Sequence, residues 1–261
     1  MHRQVTVLCA VVAMSALASI LAPYDPMRTE PILQMQSPTS EHILGTDTLG
    51  RDVLSRLLYG GQRTLLVAAL ATCLTIIIGT GVGISSGATN TWSSQLLSAF
   101  TNALLAFPNL LLAMVVLTLL GLGLLPLIIA TGFAQVAPFS RVVRSAVIGV
   151  SAESFVEAGY AIGATRQHLL RYYIFPNIFP TLLTYAAISF TYCLMNSAAL
   201  SFLGLGGEPG VPDWGVMLAE GRTAFRDAPW IAVAPGLAIT ITVWAVNSLV
   251  DDLLAKRGRQ F

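Results

Sequence analysis

Charged residues come in clusters along this chain, and the intervals between clusters are long and apolar. Residues 4–24 carry no charge over 21 positions, 64–140 over 77, 172–207 over 36 and 228–250 over 23. A helix that crosses the hydrocarbon of a bilayer needs about 20 apolar residues. The first and last intervals therefore hold one helix each. Pro176 and Pro180 at the start of the third, with Gly204–Gly207 at its end, leave room there for one more. The longest interval is interrupted by the polar run Gly87-Ala88-Thr89-Asn90-Thr91 and by Gly121-Leu122-Gly123 ahead of Pro126, which divide it into three. The pattern predicts six helices: Val5–Leu21, Leu65–Ser85, Leu96–Leu120, Leu122–Val136, Leu182–Leu203 and Ile231–Val250. None of these runs alternates as a lipid-facing barrel strand does, so the predicted class is all-α membrane protein with six transmembrane helices.

Composition sharpens this reading. The chain is 55% apolar and 10% charged, with a mean hydropathy of +0.73. A soluble domain carries about 25% charged residues, so a water-soluble globular enzyme is excluded. The net charge is +1, with no basic face to suit nucleic acid. Cys9, Cys73 and Cys193 lie scattered in apolar runs and read as packing residues rather than a disulfide framework or metal site.

The first run is longer than the apolar region of a cleaved signal, about 7 to 15 residues, so an uncleaved first helix is expected. Six crossings put both termini on one side. Eight Lys and Arg on that side against six on the other make it the cytoplasmic one. The expected divisions are a first helix over 1–22, an extracytoplasmic loop over 23–60, a core of five helices over 61–252 that includes an inner loop at 137–180, and a cytoplasmic tail over 253–261.

Within the inner loop, Ser154 and Glu157 have the spacing of a capping box. That helix is expected to run to Ile162 and stop at Gly163. Thr165 can cap a second helix, expected to end before Pro176 because a residue preceding proline avoids the helical region. Leu169, Leu170, Tyr173 and Ile174 are expected to face a protein surface, with a solvated hairpin as the alternative. Outside, Asp47, Arg51, Asp52 and Arg56 mix both signs and are expected to pair with each other rather than join His42 in a metal site. Trp214 is either part of an outer docking element or an ordinary interfacial tryptophan. Among the polar residues of the spans, Thr191, Asn196 and Ser197 are candidates for the translocation path, with helix–helix hydrogen bonding as the alternative.

Glu157-Ala158-Gly159, then Gly163 and Pro176, resemble the EAA motif of the inner-membrane permeases of ABC importers. The chain departs from that motif at Gly159, Tyr173 and Phe175. His42–Arg56, Ala106-Phe107-Pro108, Ser201–Gly206 and Asp213–Leu218 narrow the resemblance to the "C"-type subunit of the dipeptide, oligopeptide and nickel permease group, from about residue 23 to 252. The resemblance implies a type I ABC importer (MetI-like) permease fold. It implies that Glu157, Ala158, Gly159, Gly163 and Pro176 couple to an ATPase, and that Asp47, Arg51, Asp52 and Trp214 form or support a docking face for an extracytoplasmic substrate-binding protein. The implied partners are a second, homologous permease, two cytoplasmic ATPases and that binding protein, all at a bacterial inner membrane. No G-x-x-x-x-G-K-[ST] run occurs, so ATP and Mg belong to the partners, and this chain is a transport subunit rather than an enzyme, with no cofactor of its own. An ion-coupled carrier is the rival from another class. It usually places an ionisable residue inside a span, and the predicted spans hold none. A membrane assembly protein without a transport role is the second rival. No residue separates dipeptides, oligopeptides, nickel, metal chelates or sugars as cargo.

Overall fold

The computed structural model describes residues 2–89, 91–206, 208 and 210–257. Met1, Asn90, Gly207, Pro209 and the tail residues 258–261 lie outside the described residues. Each predicted apolar run is mostly helical, and among the described residues there is no strand, only an isolated antiparallel bridge between Thr46 and Asp52.

The long helices are α3 (Val53–Gly87), α6 (Leu124–Ser151), α9 (Phe175–Phe202) and α11 (Trp230–Arg257). Four helical stretches, these with the segment leading into α9, are long and apolar enough to cross a bilayer. The predicted third helix is instead two, α4 (Trp92–Leu105) and α5 (Asn109–Leu120), bent by 100° at Ala106-Phe107-Pro108. Proline at 108 pushes Phe107 out of the helical region, which the uncharged run concealed. Counted as one crossing, the pair brings the total to five. The first run forms α1 (His2–Ala16) and, after a break at Leu17, a single turn α2 (Ala18–Leu21). Its apolar helix is shorter than a bilayer crossing requires.

The predicted fourth helix also changes. It starts at Leu124 but runs on to Ser151, so Arg141 and Arg144 lie on α6 itself. A charge gap marks where water becomes tolerable, not where hydrogen bonding between backbone groups stops. The inner loop accordingly shrinks from 137–180 to the stretch between α6 and α9.

α3 and α6 form the spine. At 35 residues α3 is about 52 Å long, well beyond the ~30 Å hydrocarbon layer. Gly79, Gly83 and Gly87 recur every four residues on one face of it. A Cβ at Gly79 would lie 2.8 Å from the Phe139 ring, and one at Gly83 would lie 2.5 Å from Val143 Cβ. At Gly87 it would lie 3.0 Å from the Arg144 carbonyl oxygen. The stripe is therefore the contact through which α6 reaches the backbone of α3. Further along, Thr75 Oγ1 donates to the Gly132 carbonyl at 2.8 Å, a hydrogen bond between the same two helices.

Three apolar clusters divide the interior. One joins α3, α5, α6 and α9 through Ala71, Leu117, Leu127 and Leu200. A second packs α7 (Ser154–Ala161) and α8 (Arg166–Leu169) onto α6 and α9 through Val147, Val156, Leu169 and Ile178. The third, at the opposite end, gathers Val53, Trp214, Met217 and Ile231 around α10 (Trp214–Thr223).

Candidate functional site

The segment between α6 and α9 is built from local rules. α7 begins after Glu153, which is its N-cap and makes no side-chain capping hydrogen bond; Ser154 is already the first helical residue. The expected capping box is therefore absent here, because the helix starts one residue early. Its end follows expectation. Gly163 has φ +85°, its N–H donates to Tyr160 O at 3.0 Å, and Ala164 N–H donates to Gly159 O at 3.0 Å. This is a Schellman motif, which satisfies the last carbonyls of α7 and needs a residue without a Cβ at Gly163. Thr165 then caps α8, its hydroxyl accepting from His168 N–H at 3.4 Å.

The second helix does not stop before Pro176. α8 passes through a π-helical turn, Leu170–Ile174, directly into α9, with Pro176 in the first turn of the latter. A wider turn relieves the clash of a proline ring with the preceding carbonyls. Arg166–Phe202 is thus one helical stretch of 37 residues.

The faces of this segment also differ from expectation. Leu169 and Ile174 are buried against the chain's own bundle, and Leu170 and Tyr173 pack beside them. Gly159 explains this arrangement: a Cβ there would lie 2.6 Å from Leu169 Cδ2, so glycine lets α7 lie down on α8. The exposed apolar set is instead Phe155, Tyr160, Ile162 and Tyr172, with Ile162 84% exposed. Glu157, Ala158 and Pro176 are exposed beside them. The structure thus brings Glu157, Ala158, Gly163 and Pro176 onto the surface of one hairpin, with Gly159 buried beneath.

At the opposite end, the mixed charges pair as expected, and they do so out of water. Asp47, 1% exposed, accepts from Arg51 Nε at 2.7 Å, from the Leu49 and Arg51 backbone N–H groups, and from Arg56 Nη1. Glu220 of α10 completes the group, accepting from Arg51 Nη2 at 3.1 Å and Arg56 Nη1 at 2.6 Å. Two carboxylates and two guanidiniums balance. Asp52 caps α3, accepting from Ser55 N at 2.7 Å, and lies 2.9 Å from His42 Nδ1. Among the described residues there is no group of three or more His, Cys, Asp and Glu placed to hold a metal. Glu220 lies 164 residues from Arg56, and no local signal in the sequence pointed to it.

Trp214 is 2% exposed, with its indole N–H donating to Leu57 O at 2.9 Å. Next to it Asp213 caps α10 by accepting from Gly215 N at 2.8 Å, and accepts from Thr64 Oγ1 at 3.1 Å. Burial pushes the Asp213 carboxyl above the usual range, against the pull of those hydrogen bonds. Asp47, Arg51, Asp52 and Trp214 are therefore interior residues: they carry the α10 end of the molecule and offer no side chain at its surface.

The path candidates divide. Thr191 Oγ1 donates to Asn247 Oδ1 at 3.3 Å, joining α9 to α11. Ser197 is buried and its hydroxyl returns to Leu194 O. The Asn196 amide nitrogen is buried with no hydrogen-bond partner among the described residues. A further amide contact that sequence reading missed joins α5 to α6, Asn109 Nδ2 donating to Gln135 Oε1 at 3.2 Å. Gln135 sits in a run of small and apolar residues and gave no periodic signal.

Residues 79–257 match the family model described as "Binding-protein-dependent transport system inner membrane component". The dipeptide transport system permease protein DppC of Alkalihalophilus pseudofirmus is 33% identical, over 95% of this chain and 81% of its own length. The glutathione transport system permease protein GsiD of Escherichia coli is 36% identical, over 93% and 80%. A solved chain of the MetNI methionine ABC transporter, in an inward-facing conformation, superposes with a TM-score of 0.66 at 20% identity, over 77% of this chain and 95% of that one. At that identity the likeness speaks for the fold alone.

Proposed function

This chain belongs to the family of binding-protein-dependent transport system inner membrane components, and from that premise we propose that it moves small peptides inward across the membrane. It is a membrane-spanning permease subunit of an ABC importer, not an enzyme, and ATP hydrolysis belongs to partner subunits. The substrate class rests on relatives named for dipeptide, di/tripeptide and glutathione transport. In this reading a second, related permease pairs with it, two ATPases sit on the cytoplasmic side, and a binding protein delivers cargo from outside. Both termini are cytoplasmic.

The single observation that carries the coupling role is the exposed hairpin over 154–176. It shows Phe155, Tyr160 and Ile162 to solvent beside a carboxylate, Glu157, that has no ion-pair partner among the described residues. Aromatic and aliphatic groups around one charge suit a groove on another protein. The docking face at the α10 end is assigned to loop surface held up by Asp47, Arg51, Asp52 and Trp214. Asn196, Ser197 and Thr191 are assigned to the neighbourhood of the path on α9.

The test is reconstitution of the chain with its co-purifying subunits and binding protein in proteoliposomes. ATP hydrolysis stimulated by the binding protein is measured alongside uptake of labelled di- and tripeptides. Glu157→Lys and Gly163→Val are expected to insert normally and lose both activities. Normal transport by both variants would remove the coupling assignment. Coupled hydrolysis without uptake of any peptide or of glutathione would remove the substrate class alone.

A further inference from the structure

We propose that the cleft between α3, α4 and α6, at the end of the bundle that carries α7, is a binding site for the phosphate headgroup of an anionic phospholipid. Arg141 and Arg144 lie three residues apart on α6 and so point to one side. With Ser98, Thr101 and Asn102 of α4 and Ser86 of α3 they line a cavity of about 170 Å³. No acidic side chain among the described residues pairs with either arginine.

The donors are free. Arg144 Nε donates to the Ser86 carbonyl at 3.3 Å, which fixes the guanidinium and leaves its two terminal nitrogens without a partner among the described residues. Among the described residues, Arg141, Ser98 and the Asn102 amide have no hydrogen-bond partner. Thr101 is already committed, donating to Leu97 O at 2.9 Å, so it offers only its lone pairs. Two positive charges with a hydroxyl and an amide, drawn from two helices, suit an oxyanion that accepts several bonds at once.

Depth selects a lipid. Ser86 is one residue from the end of α3, and Arg144 is seven from the end of α6, about 10 Å. That is headgroup depth for helices longer than the hydrocarbon layer. The cavity takes only polar residues from α4; the exposed apolar stripe Trp92, Leu96 and Phe100 runs along the other side of that helix. Basic pockets between membrane helices hold anionic headgroups for these reasons.

The experiment places the full chain, with the subunits that co-purify with it, in phosphatidylcholine nanodiscs containing a minor fraction of phosphatidylglycerol. Retained lipid is read by native mass spectrometry. The wild type is expected to enrich phosphatidylglycerol, the pair Arg141→Gln and Arg144→Gln to lose that enrichment about tenfold, and the pair Arg141→Lys and Arg144→Lys to keep most of it. If the glutamine pair fails to fold, Ser98→Ala with Asn102→Ala replaces it, with a severalfold loss expected. Enrichment by the folded neutral pair equal to that of the wild type overturns the proposal. So does a site for a free anion, seen as stabilisation of the wild type by inorganic phosphate in detergent with no arginine-dependent lipid enrichment. Loss of peptide uptake with unchanged enrichment assigns the arginines to cargo and overturns it as well.

Discussion

Arg56 shows how a charge is kept inside this molecule. Its side chain is 1% exposed and is neutralised by Asp47 beside it and by Glu220 from a helix far along the chain. Removing one member of such a group leaves its counterpart charged and dry, at a cost of about 3–5 kcal/mol. Arg56→Met is expected to lower the thermal stability of the purified complex accordingly. Adding Glu220→Gln is expected to recover part of the loss, and strictly additive losses would show that the two do not interact. Asp213 gives a pH dependence. Its carboxyl titrates above the ordinary aspartate range because it is buried. The contribution of its neutral form is thus fully present below the ordinary range and is lost as pH rises through the raised value. Melting temperature followed from acid to neutral pH is expected to fall more steeply in the wild type than in Asp213→Asn, and parallel curves would refute the assignment. The residues legible in the sequence were those with local rules, Gly163 and Thr165 above all. Glu220 and Gln135 were not, because their partners are set by how helices pack rather than by neighbours in the chain.

Among elements, the α3–α6 contact depends on what is missing. Gly83→Leu puts a Cβ 2.5 Å from Val143 and adds a branched chain behind it. Overpacking of this kind costs about 1–3 kcal/mol. The variant is expected to insert but to melt earlier and to show faster protease cleavage at the α7 end, while Gly81→Ala on the open face of α3 is expected to behave as wild type. Equal loss from both would mean general helix propensity rather than contact is responsible. Hydrophobic intervals placed α3, α6, α9 and α11 in order, but missed α10 and read α4 and α5 as one helix. They failed at boundaries for two physical reasons. Arg141 and Arg144 sit on a helix whose backbone bonding continues past the apolar zone, and Phe107-Pro108 breaks a helix without any change in polarity.

For the whole molecule, the fold was legible because lipid leaves few alternatives to helices, whereas the burial of Trp214 arises only from packing. The proposed orientation rests on a small excess of Lys and Arg on one side and is open to direct test. In a cysteine-free background, a single cysteine at Ser40 is expected to react with an impermeant reagent added outside, and one at Ser151 only after permeabilisation; reaction of the Ser151 site in sealed cells would invert the topology. The π turn at Leu170–Ile174 has a consequence for the hairpin and the span together. One extra residue within a helix offsets everything beyond it by about 100° around the axis. The angular phase between the surface offered to a partner and the face α9 turns inward is therefore stored in those five positions. Deleting one residue there would leave both surfaces chemically intact and aim them in different directions.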